Sequence, residues 1–277
     1  MLRVALTHDV DRIKKTYQYF THTVKAAKRK YWAGVKYHAA SFSERNRVYW
    51  NFDDIIEIEN KFNVKSTFYF LHETLPFRLF DSFNWPLSLG RYCLSEEKVV
   101  EIIRSLHKGG WEIGLHGSFN SYKSLDLLKK EKALLEKILG HPVNGIRQHW
   151  LNLNDETWQL QKQAGFIYDT SWGYNEHLGF RDNKVRPFAP FNDSFMVYPM
   201  PIMDATYMKA KNRLDELKKL IELVVSNNSI LVVNWHSNNY HEKEFPGYKD
   251  AYIEVIDYCI SQGAEFDTLI NFHSKQN

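Results

Sequence analysis

From about residue 50 onward the chain alternates between two textures, short β-branched and aromatic runs and longer stretches with helical period. The short runs are VKSTFYFLH (64–72), WEIGLH (111–116), VNGIRQHWL (143–151), FIYDTSW (166–172), FMVYPMPIMD (195–204), ILVVNWH (230–236) and AEFDTLINF (264–272). Each has the composition and length of a strand. Between them lie FDDIIEIENKF, SEEKVVEIIRSLHKGG, SLDLLKKEKALLEKILG, LNDETWQLQKQAG, AKNRLDELKKLIELVV and YKDAYIEVIDYCISQG. In one of these Leu214, Leu217, Ile221, Val224 and Val225 share a single helix face, the mark of a helix packed on a core. Glycines close four of them, at Gly109–Gly110, Gly140, Gly165 and Gly263, as helix C-termini favour. Strand and helix in alternation require parallel strands joined by helical crossovers, in an open doubly wound sheet or a closed barrel.

The polar residues decide between the two. With the opening run VALTHDV there are eight strand candidates, and almost every one ends in a group that can ionise or bind metal: Asp9 and Asp11, His72, His116, Arg147 with His149, Asp169, Asp204 and His236. In parallel β/α architectures the C-terminal strand ends form one rim, where sites are built. A barrel gathers these residues around one axis, whereas an open sheet scatters them. The expectation is an α/β fold, a distorted (β/α) barrel of parallel strands.

A length of 277 residues with 44% hydrophobic side chains suits one such domain over 1–277. Cys93 and Cys259 stand far apart without metal-type spacing, which suits a reducing compartment. Arg3 is followed by too few apolar residues before His8 for a signal peptide, and no run reaches about 18 apolar residues. The expected address is the cytoplasm, with peripheral contact at the inner membrane face. That last element comes from residues 12–48, which hold ten Lys or Arg against one acid, Glu44, a charge of +9 that leaves about −6 for the rest. Tyr17, Tyr19, Phe20, Tyr31, Trp32 and Tyr37 are interleaved with these charges. A basic, aromatic helical insertion over 12–50 fits a phosphate-bearing ligand or an anionic membrane surface, and fits equally a solvated hairpin whose rings pack on the body. Nucleic acid is set aside, since the charge is confined to one segment and no nucleic-acid motif accompanies it.

Taken together, the strand ends resemble the NodB-homology polysaccharide deacetylases, the family 4 carbohydrate esterases, over nearly the whole chain. The family's first motif matches THDVD, the second aligns with HGSFN, the third with RQHW, the fourth with DTSW, and the fifth, an apolar run ending in His, with ILVVNWH. The resemblance implies a distorted (β/α) barrel and a sugar N-deacetylase. It implies a divalent metal, Zn²⁺ foremost, held by Asp11, His116 and Asn120, with Asp9 as the base that takes a proton from water. Arg147 would pair with Asp9, and Asp169 would orient His236, the acid that protonates the leaving amine. Trp172, Trp150 and Ser171 would form the sugar pocket.

The departures are specific. Asn120 stands where the family has its second metal histidine, His149 stands where it has Pro, and is a substitute ligand or a pocket residue, and His8 replaces Phe and alternates away from Asp9. Asp204 is a polar strand end without a family role. Arg181 and Arg186, and His241, Glu242 and Glu244 in the loop after His236, are specificity residues or surface charges. The implied substrate is an N-acylated amino sugar, acetyl or formyl, linked to a nucleotide or to polyprenyl phosphate, in surface-polysaccharide or O-antigen assembly. Two other readings share the scaffold: a glycan-binding or regulatory protein with a degraded metal site, and a metal-free hydrolase of a non-sugar C–N bond.

Overall fold

The computed structural model describes residues 1–44 and 48–275. Arg45 and Arg47, counted in the basic segment, lie outside the described residues. Nine strands form one parallel sheet: β1 (Arg3–Val10), β2 (Thr67–Leu71), β3 (Glu112–Gly117), β4 (Gly145–Gln148), β5 (Tyr168–Asp169), β6 (Met196–Val197), β7 (Ile202–Met203), β8 (Leu231–Asn234) and β9 (Glu265–Phe266). Their order is β6-β5-β4-β3-β2-β1-β8-β7. β1 therefore sits inside the sheet, with Thr7–Val10 against Thr67–Phe70 and Val4–Thr7 against Leu231–Asn234. β9 pairs with Arg3 and Val4 on the edge that β2 leaves uncovered. This is the expected distorted (β/α) barrel, and it brings the polar ends of β1, β3, β4 and β8 together.

Two strand assignments change. The run 195–204 is two strands, because Pro199 and Pro201 lack the N–H that a ladder needs. Its halves lie at opposite ends of the sheet, and Tyr198–Pro201 spans the seam, with a bridge between Gly173 and Met200. The run 264–272 is a strand only over Glu265–Phe266, because the Thr268 side chain caps the helix Leu269–Ser274 by accepting from Asn271 N.

The helices follow the sequence period. SLDLLKKEKALLEKILG forms Leu125–Leu139, with the Ser124 side chain accepting from Leu127 N and Gly140 in the left-handed conformation at its end. β1 buries seven of its eight residues, so its outward-pointing His8 must find partners within the core. His8 Nδ1 lies 2.8 Å from Trp235 O and Nε2 lies 2.8 Å from Glu59, whose other oxygen accepts from Trp111 Nε1 at 2.6 Å. His8 is thus a packing residue of the helix layer.

The segment after β1 is helical as expected: α1 (Gln18–Lys28) and α2 (Trp32–Ala40) form an antiparallel hairpin, followed by α3 (Phe52–Lys61). Lys25, Lys28, Arg29, Lys30 and Lys36 are exposed beside exposed Phe20, Tyr31 and Trp32. The hairpin is fastened through Lys15, whose ammonium pairs with Glu244 and donates to Ser41 Oγ at 3.0 Å, both charged side chains being fully buried. Glu244 is therefore an anchor. Burial would raise its carboxyl, but His22 and Lys15 outweigh this and bring it down from 4.5 to about 2. A group depressed in the folded state stabilises above its unfolded value and loses that contribution as pH falls. Hydrogen-exchange protection across residues 18–40, taken relative to the intrinsic exchange rate at each pH, is expected to fall as pH drops from about 4.5 to 2. Glu244→Ala is expected to produce the same loosening at neutral pH, at a cost of roughly 3–5 kcal/mol for stranding Lys15. Unchanged protection of 18–40 in that variant would refute the anchor.

Candidate active site

The C-terminal ends of β1, β3, β4, β7 and β8 surround a cavity of about 400 Å³ lined by Asp9, Asp11, His116, His149, Trp150 and His236, among others. Strand alternation puts Thr7, Asp9 and Asp11 on the inner side of β1. Asp9 is held at both oxygens: Oδ1 accepts from Arg147 Nη1 at 2.8 Å and Oδ2 from Asn234 Nδ2 at 2.7 Å. Arg147 is fully buried, reaches in from β4, donates through Nε to Thr170 O and lies 4.7 Å from the Tyr69 ring. Burial would raise the Asp9 carboxyl, but Arg147, with His116 and His236, holds it below its usual value.

Asp11, His116 and His149 bring one donor atom each to within 4.8 Å of one another. His116 Nδ1 donates to Arg147 O at 2.9 Å, which leaves Nε2 facing Asp11 Oδ1, 3.1 Å away. An imidazole held by a backbone carbonyl in this way is a metal ligand's usual arrangement. Asp11 Oδ1 and His149 Nδ1 are buried without a hydrogen-bond partner. Burial, opposed by Asp11 but joined by His116 and Arg12, brings His149 down to about 4, so it is neutral and free to ligate. Burial would raise the Asp11 carboxyl, but His149, His116 and His236 pull it far below the carboxylate range. One carboxylate and two imidazoles gathered this closely, with His149 Nε2 3.9 Å from Asp11 Oδ2, fit a divalent ion.

Of the two candidates for third donor, His149 is the one that lines the cavity beside Asp11 and His116. Asn120 precedes the short turn Ser121–Lys123 without a side-chain capping bond and is not among the residues that line the cavity. His149 faces the site because Gln148 is extended and strand alternation puts it on the side of Arg147; the chain then turns away through two left-handed residues, Trp150 (φ 61) and Leu151 (φ 53). His149→Ala is expected to weaken zinc binding roughly 10–100-fold, whereas Asn120→Ala leaves metal content unchanged; equal losses in the two variants would refute this ligand set.

His236, just beyond β8, donates through Nδ1 to Asp204 Oδ1 at 2.9 Å, and its backbone N donates to Asp204 Oδ2 at 2.8 Å. Burial would lower the imidazole, but Asp204, then Asp11 and Asp9, raise it to about 10. The partner of His236 is therefore Asp204, correcting the expectation for Asp169. Asp169 is fully buried and accepts from Ser171 Oγ at 2.6 Å, Ser171 N at 2.8 Å, Gln161 Nε2 at 2.9 Å and Trp158 Nε1 at 3.3 Å. Ser171 is fully buried too, its Oγ also accepting from Gln148 N, so it braces the ends of β4 and β5. Trp172 does not line the cavity: its Nε1 donates to Arg181 O, with Trp158 on the ring and Arg181 over it at 4.2 Å. Trp150 does line it, 40% exposed, with Phe83 and Phe119 against its edges. Asn175 and Glu176 add a rim the motifs did not mark. Asn234 was within reach of sequence reasoning, since it lies two residues before His236 and so faces the same side.

The fold is one already known. The chain superposes on a protein of Mycobacterium smegmatis assigned as a polysaccharide deacetylase, at 17% identity and a TM-score of 0.60, covering 99% of this chain and 89% of that one. It also superposes on the PuuE allantoinase at 11% identity and a TM-score of 0.61, again covering 99% of this chain and 89% of that one. No family model and no curated protein matches the sequence. What is shared is the distorted barrel of the NodB-type deacetylases, and the chemistry on it is set by this chain's own side chains.

Proposed function

We propose that the chain is a metal-dependent hydrolase that removes an N-acyl group, acetyl or formyl, from an amino sugar carried on phosphate, a precursor in surface-polysaccharide or O-antigen assembly. The observation that carries this reading is the meeting, around one cavity, of three metal donors, a carboxylate held ionised and an imidazole held protonated. Asp11, His116 and His149 suit zinc. Bound there, the ion supplies Lewis acidity, polarising the amide carbonyl and making a water more acidic. Asp9 stands outside the three-donor cluster and takes the proton of the attacking water. Arg147 and Asn234 fix both Asp9 oxygens, so the base needs no reorientation. His236, protonated at neutral pH, gives its Nε2 proton to the nitrogen as the C–N bond breaks, and Asp204 keeps its Nδ1–H aligned. Trp150 offers a ring face to the sugar at the mouth of the cavity.

No helix among the described residues is long and apolar enough to cross a membrane. The exposed basic and aromatic residues of the α1–α2 hairpin support contact with an anionic surface. That is where a polyprenyl-phosphate-linked sugar resides, and a nucleotide-linked sugar is the other carrier. The test is release of acetate and formate from nucleotide-linked and lipid-linked N-acyl sugars. Release lost on chelation and restored by zinc is the expected result. Activity that resists chelation would move the reading to metal-free C–N hydrolysis, and neither activity nor bound zinc would move it to a glycan-binding protein.

A further inference from the structure

Beside the main cavity lies a second, of about 70 Å³, which shares Asp11, His149 and Trp150 with it and is also lined by Arg12 and Arg91. The only carboxylate in its lining is Asp11, which belongs to the metal donors. Arg12 is built into place: Nη1 donates to Leu89 O at 2.7 Å, Nη2 donates to Pro86 O and to Tyr17 Oη, and the guanidinium lies 5.3 Å from the Tyr17 ring. The loop can pass this close because residue 90 is glycine. A Cβ there would lie 2.6 Å from Arg12 Nη1, and its φ of +82 is one that glycine adopts freely. Arg91 is tied by Nη1 to Leu75 O at 2.7 Å. All of these partners are neutral, and neither guanidinium has a carboxylate partner among the described residues. The other two paired arginines, Arg147 and Arg213, do have one.

We propose that Arg12 and Arg91 form a subsite for the phosphate of the substrate, placed so that one sugar presents its N-acyl group to Asp11, His116 and His149 and its phosphate ester to the two guanidiniums. This rests on the reading of the main cavity as an N-acyl sugar site and specifies its substrate as a sugar phosphate. Two guanidiniums without carboxylate partners, Arg12 held by three bonds and Arg91 by one, beside apolar Leu71, Leu87 and Leu89 suit phosphate binding by charge-assisted hydrogen bonds. A nucleotide and a polyprenyl lipid both carry such a phosphate. The loop that Arg91 holds exposes Phe77, Leu79 and Phe83, with Phe80 fully exposed, and Phe83 packs 5.2 Å from Trp150. An apolar continuation beyond the phosphate is therefore expected.

The test is calorimetry on zinc-loaded protein in an Asp9→Asn background, so that ligand is not consumed. The probes are N-acetylglucosamine and N-acetylglucosamine 1-phosphate. The phosphorylated sugar is expected to bind about 10–100-fold more tightly, and Arg91→Ala or Arg12→Lys to reduce that ratio at least about tenfold. Arg91 is exposed, with one side-chain bond to the backbone, so its variant tests the subsite even if Arg12→Lys disturbs the 86–89 turn. A ratio unchanged in both variants would overturn the proposal. If the arginine-dependent preference appears but native protein releases no acyl group, the subsite stands and the hydrolase reading falls; acyl release with no preference for phosphate does the reverse. Between carriers, Phe80→Ser is expected to weaken a polyprenyl-phosphate-linked sugar in vesicles at least about tenfold more than a nucleotide-linked one. Equal losses would overturn the apolar continuation.

Discussion

Replacing Asp9 by asparagine is expected to lower kcat on the natural substrate by roughly 10²–10⁴, the range a positioned general base contributes, while zinc content stays at the native level. The two outcomes separate because Asp9 is not one of the three clustered donors, Asp11, His116 and His149. The amide retains an oxygen that can accept from Arg147 or Asn234, and Arg147 keeps Thr7 Oγ1 and Asn234 Oδ1 as acceptors, each at 2.9 Å. The fold should therefore survive with a cost of a few kcal/mol for a buried guanidinium that has lost its counter-charge. A variant with near-native kcat would remove Asp9 from the role of base. One that loses zinc together with activity would make Asp9 a ligand instead.

The second large effect distinguishes two buried aspartates. Asp204→Asn is expected to lower kcat roughly 10²–10³-fold. The Asp204 carboxylate accepts from the Nδ1 and backbone N of His236 and from Asn239 Nδ2, and an amide cannot serve all three donors. The imidazole, raised to about 10 chiefly by Asp204 against the effect of burial, would titrate lower, which NMR of the His236 ring would read directly. Asp169→Asn is expected to act on stability alone. It sets an NH₂ against a ring of donors from Ser171, Gln161 and Trp158, at a cost of about 1–3 kcal/mol, with kcat of the folded fraction preserved. If Asp169→Asn is the variant that loses kcat, the orienting role returns to Asp169.

That pair also marks where sequence reasoning stops. The carboxylates and imidazoles of the site were legible because each sits at the end of its own apolar run, a local signal. Which acid meets which base depends on the order of strands in the sheet. Asp169 ends β5 and Asp204 follows β7, and only β7 lies beside β8, with Met203 opposite Asn234. Nothing in the spacing of DTSW or PIMD carries that neighbour relation. His149 was legible as a candidate, two residues after Arg147 and so on the same side of an extended strand, but nothing in RQHW chose between it and Asn120 as the third donor. The two prolines at 199 and 201 were visible, but their effect, a strand divided between the two ends of the sheet, follows from the strand order. The basic insertion was legible as helical, while the burial of Glu244 beneath it was not, because the loop SNNYHEKEFPGY is polar throughout.

The position of β1 has a consequence for what length changes this chain tolerates. Its neighbours on both edges fix its register, Thr7 lying opposite Thr67 on one side and Asn234 on the other. Side chains alternate with a period of two, so adding one residue ahead of His8 would turn both carboxylates outward and deliver His8 to the place of Asp9. Deleting one there would instead set Asp9 against Glu59, which now faces an imidazole. Two residues added together would restore parity but shift base and ligand by a strand step. Scanning the chain with single-residue insertions should therefore find its least permissive stretch here, set by counting along the backbone as much as by the identity of any side chain.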